Sequence, residues 1–157
     1  MIDTAYSSEL ISYLNQHHTA LVAVSKTQTE ASIMELYFMG QRVFGENKVQ
    51  ELLQKQENLP KDIQWHLIGT LQSNKVKQII PHVQLIHSVS SLKLLNEIDK
   101  QSQNLNIQTN VLLQIHIAQE ETKFGFSYNE IDEIFQEGIP LQLKNTNICG
   151  LMGMASF

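Results

Sequence analysis

Cysteine is almost absent from this chain of 157 residues, which contains only Cys149. A single cysteine cannot form an internal disulfide, and it leaves any metal site to histidine and carboxylate side chains. No set of these residues has the spacing of a metal site, and His17 and His18 fit an exposed helix end. The sequence therefore predicts no disulfide and no metal site, and a lone thiol fits the reducing cytoplasm.

Basic residues and long apolar runs are also scarce. The chain has 11 Lys and Arg against 16 Asp and Glu, a formal net charge of -5. Nucleic-acid binding needs clustered positive charge, and the short cluster of Lys75 and Lys77 does not supply it. No apolar run approaches the length of a membrane span, and the amino terminus lacks the features of a leader. We therefore expect no nucleic-acid partner, no membrane partner and a cytoplasmic location.

Apolar content, at 42% of the residues, is sufficient for one sizeable core, so we expect a single domain over residues 1–157. Short apolar runs alternate with amphipathic segments, which is typical of an α/β protein with a parallel sheet. Parallel strands in this number belong either to an open doubly wound sheet or to a barrel of eight, and spacing does not choose between them. The six predicted strands are 21–25, 43–45, 65–69, 85–88, 110–118 and 148–154.

Polar residues mark where the helices begin. Thr27 and Glu30 have the spacing of a capping box, and Ser127 and Glu130 repeat that spacing later in the chain. Ser90 is predicted to cap another helix, because serine side chains accept hydrogen bonds from the first amides of a helix.

Lys26 is the first candidate for a functional residue. It follows the apolar strand 21–25, and α/β folds place their chemistry at the carboxyl ends of strands. A lysine whose stem packs on an apolar wall loses hydration, which favours the neutral amine that forms a Schiff base with an aldehyde. The alternative is a solvated lysine at a strand end.

Four motifs carry a resemblance to a known family. In order and spacing, from about Leu21 to the last residue, they resemble the pyridoxal 5′-phosphate homeostasis proteins, single-domain relatives of the alanine racemase barrel. A further segment, 120–125, resembles the acidic loop with Lys-x-Gly of that family and contains Lys123. The four motifs are VSKT at 24–27, FGENKVQE at 44–51, WHLIGTLQSNK at 65–75 and GLMGMA at 150–155.

The resemblance implies a (β/α)₈ TIM barrel of the alanine racemase N-terminal type, of which this chain has about six βα units. It implies pyridoxal 5′-phosphate as cofactor, bound as a Schiff base through Lys26 at the carboxyl face of the barrel. By the same comparison, Asn47 and His66 line the cofactor side, Ser88 ends the fourth strand and Met152 lies on the sixth. The family is regarded as acting in vitamin B6 and amino-acid homeostasis, with no established turnover, so no catalytic residue is assigned.

The chain departs from the family at its carboxyl end. Members continue for two further βα units, which supply a Ser/Gly-rich phosphate loop and an arginine facing the pyridine nitrogen. We therefore expect a truncated member, ending at Phe157, that lacks both of these groups. A smaller departure is Gln28, where many members have a second lysine.

Simpler roles compete at several of these positions. His66 also fits a core histidine bonded to backbone, Asn47 fits a helix cap, and Lys123 fits a surface ion pair. His116, which shares a strand with Gln114, is assigned to packing.

Two other functions remain open. One is a racemase-like enzyme that uses pyridoxal phosphate, in which Lys26 serves one face of the reacting carbon. By the resemblance, alanine racemases draw the second base, a tyrosine, from a separate carboxyl-terminal domain, which we do not expect in this chain. The other is a truncated barrel that binds no cofactor and self-associates through its exposed sheet edges.

Overall fold

The computed structural model describes residues 3–117 and 125–154, in which six parallel strands alternate with helices. The strands are β1 (Ala23–Val24), β2 (Val43–Glu46), β3 (Gln64–Leu67), β4 (Leu85–Val89), β5 (Thr109–Ile115) and β6 (Thr146–Gly153). The helices are α1 (Thr4–Gln16), α2 (Glu30–Phe38), α3 (Val49–Asn58), α4 (Val76–Ile79), α5 (Leu92–Leu105), α6 (Tyr128–Gln136) and α7 (Ile139–Gln142). All six predicted strands are confirmed, with shifted ends; the last residue of 110–118 lies outside the described residues.

The strands pair in the order in which they occur in the chain, from β1 to β6, and every pair is parallel. Crossovers between parallel strands are right-handed, so a strictly sequential order places every connecting helix on the same side of the sheet. A doubly wound sheet instead reverses its strand order and carries helices on both sides. The topology is therefore that of a partial (β/α)₈ barrel, which decides the choice that spacing left open.

The two faces of the sheet differ in burial. One face, here called the helix face, carries the apolar side chains that pack under the helices, each at most 2% exposed: Phe44, Trp65, Leu67, Ile86, Val111 and Leu113. The other face, here called the open face, carries Val24, Gly45 and His66 in one paired row. Val24 is 52% exposed there because no helix covers it. The hydrophobic core thus lies on one side of the sheet, and the other side is free for polar groups.

The predicted capping box at Thr27 and Glu30 is wrong. Helix α2 begins at Glu30, and its cap is Thr29, whose side chain accepts the Ser32 amide. An N-cap residue needs an extended backbone, which Thr29 has at φ -73°, ψ 156°, whereas Thr27 is left-handed at φ 62°. The backbone of Thr27 therefore excludes it from the cap position.

The other two caps are settled by hydrogen bonds. Ser127 and Glu130 form the complete reciprocal box that their spacing predicts. The cap of α5 is Ser91, whose hydroxyl accepts the Leu94 amide at 3.2 Å, and not Ser90 as predicted. Ser91 has the extended backbone that a cap requires, at φ -160°, ψ 152°.

Candidate functional site

Lys26 lies immediately beyond β1, at the carboxyl edge of the sheet. The Ser25 amide donates to the Gly45 carbonyl at 2.9 Å, so the bonding between β1 and β2 extends to Ser25. If side-chain alternation continues for one residue beyond Ser25, Lys26 shares the open face with Val24. Lys26 is exposed, so the predicted packing of its stem on an apolar wall is wrong; no helix covers this face.

A buried ionic cluster lies on the other side of β1 and β2. The Lys55 ammonium, on α3, donates to the Ser25 carbonyl, Glu46 Oε1 and Glu51 Oε1, each at 2.7 Å. Glu46 has no exposed surface, and Lys55 is 6% exposed. Burial disfavours the ammonium, but the hydrogen bonds to both carboxylates outweigh it and raise the pKa of Lys55. The hydrogen bond from Lys55 lowers the pKa of Glu51, so Lys55 and Glu51 are both charged at neutral pH.

Asn47 and Ser88, two of the predicted site residues, are linked through Gly69. The Ser88 hydroxyl donates to the Gly69 carbonyl at 2.6 Å. Gly69 packs so closely on Asn47 that a Cβ there would lie 2.6 Å from Asn47 Cα and would overlap its carbonyl oxygen. This hydrogen bond and this close packing hold together the segments that follow β2 and β3 and the end of β4, at the edge of the sheet where Lys26 lies.

His66 faces His87 across the open face. Their Nδ1 and Nε2 atoms are 2.9 Å apart, and both rings are partly buried. Burial lowers the pKa of His66 to about 4, with a further contribution from His87. Burial also lowers the pKa of His87. Both rings are therefore neutral at pH 7, and the predicted alternative of a backbone-bonded core histidine for His66 gives way to a pair of histidines.

Met152 reaches the open face through a bulge in β6. Val111 pairs with Ile148 but Leu112 pairs with Gly150, which leaves Cys149 as an extra residue. Met152 then pairs with Gln114 and shares its face. Met152 lies at the opposite edge of the sheet from Lys26, so the described residues do not bring it to the others.

Several expectations concern other kinds of site. Within 3–117 and 125–154 no group of three His, Cys, Asp or Glu side chains could hold a metal ion. In the same ranges no helix is long and apolar enough to cross a membrane. Lys123 lies outside the described residues, and His116 is half-buried next to β5.

Sequence reasoning missed His87, Gly69 and Lys55. Glu51 and Lys55 do have the i,i+4 spacing of a helical ion pair, although that spacing usually marks a solvated pair. No sequence pattern indicates a role for His87, because its contact with His66 depends on the register between β3 and β4.

The comparisons with known proteins agree over most of the chain. The family model for the alanine racemase N-terminal domain matches residues 7–157. A pyridoxal phosphate homeostasis protein of Aquifex aeolicus is 42% identical over 133 residues, 84% of this chain and 58% of that protein. Its counterpart in Helicobacter pylori is 40% identical over 144 residues, 89% of this chain and 64% of that protein. The chain thus spans less than two thirds of the length of these relatives.

Solved structures give the same picture. PipY of Synechococcus elongatus PCC7942, solved without PLP, is 35% identical with a TM-score of 0.83, over 93% of this chain and 69% of that one. The same protein with PLP bound gives a TM-score of 0.81, over 96% of this chain and 71% of that one. An alanine racemase from Bartonella henselae, 16% identical with a TM-score of 0.71, shares the fold over 97% of this chain and 43% of that one.

Proposed function

Because the chain belongs to the alanine racemase N-terminal domain family, among the pyridoxal phosphate homeostasis proteins, we propose that it binds pyridoxal 5′-phosphate and serves vitamin B6 and amino-acid homeostasis. The observation that carries the proposal is Lys26, an exposed amine at the carboxyl end of β1 on the open face. The PLP-bound structure of PipY supports the choice of ligand.

Lys26 is the proposed covalent anchor. When bound, the cofactor supplies an aldehyde. Lys26 Nζ would hold that aldehyde through a C=N bond, with release of one water and no change in oxidation state. Asn47 and Ser88 border the same edge of the sheet, and His66 lies on the open face below them. We propose these three residues, together with Met152, as the lining of the site.

A binding role is favoured over catalysis. Racemisation needs an acid or base on each side of the reacting carbon, and Lys26 supplies one of them. The tyrosines within the described ranges, Tyr6, Tyr13, Tyr37 and Tyr128, all lie on helices, and none follows a strand at the open face. The relatives are named as homeostasis proteins rather than as enzymes, which also supports binding.

The proposal is tested by adding pyridoxal phosphate to the purified chain, recording the visible spectrum, reducing with borohydride and locating the modified peptide by mass spectrometry. We expect a single adduct on Lys26, lost in Lys26→Ala and kept in Lys77→Ala, which removes another exposed lysine. Indiscriminate labelling of surface lysines, or no adduct, would show that this chain does not bind the cofactor. Detectable racemisation of alanine would instead favour the enzyme.

We further propose self-association through the sheet edges. Among the described residues β1 pairs with β2 alone and β6 pairs with β5 alone, so each has an unpaired edge. The edge of β6 is eight residues long, and an unpaired strand of that length can pair with another chain. Sedimentation of the chain should show dimers or larger species, and a compact monomer at high concentration would contradict this.

We retain the cytoplasm as the proposed location because the single thiol, Cys149, is free and exposed.

A further inference from the structure

The peptide groups on the two sides of Lys26 are both held by side chains of α3. On the amino side, the Ser25 carbonyl accepts a hydrogen bond from Lys55 Nζ at 2.7 Å. On the carboxyl side, the Thr27 amide donates to Glu51 Oε1 at 2.8 Å. Lys55 Nζ and Glu51 Oε1 are themselves 2.7 Å apart, so one ion pair binds the backbone both before and after Lys26.

Glu46, on β2, is the third charged residue of this cluster and binds both Ser25 and Lys55. Its Oε1 atom accepts both the Ser25 hydroxyl and the Lys55 ammonium, each at 2.7 Å. Its Oε2 atom is buried and has no hydrogen-bond partner among the described residues. The carboxylate is thus bound on one oxygen only, and that oxygen lies against the residue preceding Lys26.

Overall stability is a poor explanation for this cluster. It places one ammonium and two carboxylates at the edge of the core, and desolvation of such groups cancels much of their attraction. Apolar groups of similar size in place of all three charged side chains would fill the space without that cost, whereas an apolar residue at position 55 alone would leave Glu46 buried without its partner. The cluster does supply fixed directions, because each of its hydrogen bonds requires a defined orientation of the groups it joins.

The backbone conformation of Thr27, next to Lys26, indicates that side-chain contacts hold this segment in place. Thr27 has a φ of 62°, a left-handed conformation that is rare for a β-branched residue. Such a conformation persists only where surrounding contacts over-determine it, and it is concentrated at functional sites. The bond from the Thr27 amide to Glu51 is one such contact, and it sets the direction in which the chain leaves Lys26.

We propose that Lys55 and Glu51 are positioning residues that fix the backbone on both sides of Lys26 and so aim its amine across the open face. This inference rests on the proposed function, in which Lys26 bonds to the aldehyde of pyridoxal phosphate. Loss of the hydrogen bonds from Lys55 and Glu51 leaves the Lys26 amine chemically intact, but it lets the turn that carries this amine move. Because reaction rates fall steeply when reacting groups are misplaced, we expect adduct formation at Lys26 to slow about 10- to 100-fold.

The test compares Lys55→Met with Lys77→Met, the same change at an exposed lysine of α4. Circular dichroism first establishes that each variant is folded. The rate of imine formation with pyridoxal phosphate is then followed by absorbance, and the fraction on Lys26 is measured after borohydride trapping. We expect Lys55→Met to lose rate at Lys26 while labelling of other lysines stays unchanged, and Lys77→Met to match the wild type.

Glu51→Gln keeps the test usable if Lys55→Met does not fold. Its side chain retains an oxygen for the Thr27 amide but loses the charge that binds Lys55, so we expect a smaller loss of a few-fold. A folded Lys55→Met or Glu51→Gln that modifies Lys26 at the wild-type rate would overturn the positioning role.

Hydrogen exchange of the Thr27 amide separates the two proposals. We expect this amide to exchange at least about 10-fold faster in Lys55→Met than in the wild type, with core amides unchanged. If the wild-type chain forms no adduct on Lys26, the proposed function fails. The positioning role of Lys55 and Glu51 is then tested only by the hydrogen-exchange rate of the Thr27 amide. An unchanged exchange rate for Thr27 would overturn the positioning role whatever the outcome with the cofactor.

Discussion

The Nδ1 atom of His66 lies 2.9 Å from the Nε2 atom of His87, which joins β3 to β4 on the open face of the sheet. One ring nitrogen must donate a proton and the other must accept it. Two imidazolium rings cannot form this bond, because both of the facing nitrogens would then be donors. The contact therefore requires at least one neutral histidine.

Stability of the chain should consequently fall in mildly acidic solution. The pKa of His66 is lowered from 6.5 to about 4 on folding, so the unfolded chain binds more protons between these values. The contribution is complete above pH 6.5 and is lost as the pH falls toward 4, by an amount on the order of 1 to 3 kcal/mol. Urea unfolding at pH 7.5 and pH 5.0 measures it.

The matched variants for this prediction are His66→Gln and His18→Gln. His18 is exposed, so its replacement should leave the difference in unfolding free energy between the two pH values unchanged. His66→Gln should reduce that difference. The carboxylates with lowered pKa values, Glu51 and Asp62, have ordinary pKa values of 4.5 and 3.8, so they contribute little to the difference between pH 7.5 and pH 5.0. Equal pH dependence in both variants would rule out His66 as the cause.

Gly69→Ala should be strongly destabilising. Its new Cβ would press on the backbone of Asn47, which cannot move without shifting β2. We expect a loss of about 2 kcal/mol or more in the free energy of unfolding. Gly45→Ala is the control, since the atoms nearest to its Cβ would belong to side chains, Val22 Cγ1 at 3.0 Å and Ile68 Cδ1 at 3.1 Å, and not to the backbone. Similar losses in the two variants, measured by urea unfolding, would contradict this account.

Thr27→Asn should stabilise the chain. Asparagine tolerates the left-handed conformation of position 27 better than a β-branched residue does, and we expect a gain of about 1 kcal/mol. The same change at Thr29, the cap of α2 with an extended backbone, should be nearly neutral, because asparagine is an equally good cap. Thermal unfolding of both variants tests this, and a loss of stability in Thr27→Asn would show that the turn needs the threonine side chain.

Ser91→Ala should cost about 1 kcal/mol, because it leaves the Leu94 amide at the start of α5 without its acceptor. Ser90→Ala removes a hydroxyl that caps nothing and should have a much smaller effect. Both unfolding free energies can be measured in urea. The reverse order of effects would restore Ser90 to the role that the sequence suggested.

The sequence was informative about strands and less so about helix starts. Each strand is a short apolar run bounded by polar or turn residues, and that local signal does not depend on the rest of the fold. A cap depends on the backbone angles of one residue, and neighbouring hydroxyl residues such as Ser90 and Ser91, or Thr27 and Thr29, are equally plausible from composition. The conformations that distinguish them are set by tertiary contacts.

Strand order and register were beyond the reach of periodicity. The doubly wound sheet and the barrel have the same alternation of strands and helices, and only the pairing order separates them. The site shows the same limit. Lys26 could be singled out because it ends a strand, whereas the partnership of His66 with His87 depends on which residues lie opposite each other. The i,i+4 spacing of Glu51 and Lys55 likewise does not indicate that the Lys55 ammonium is buried against Ser25 and Glu46.

The extra residue in β6 has a consequence for what the open face presents. Because side chains alternate with a period of two, one unpaired residue reverses the parity of everything that follows it in the strand. Ile148 and Leu151 therefore share the helix face although they are three residues apart, and Met152 falls on the open face. If the same sequence paired with β5 without the bulge, Leu151 would lie on the open face and Met152 on the helix face. The bulge at Cys149 thus determines which side chains of β6 lie on the open face.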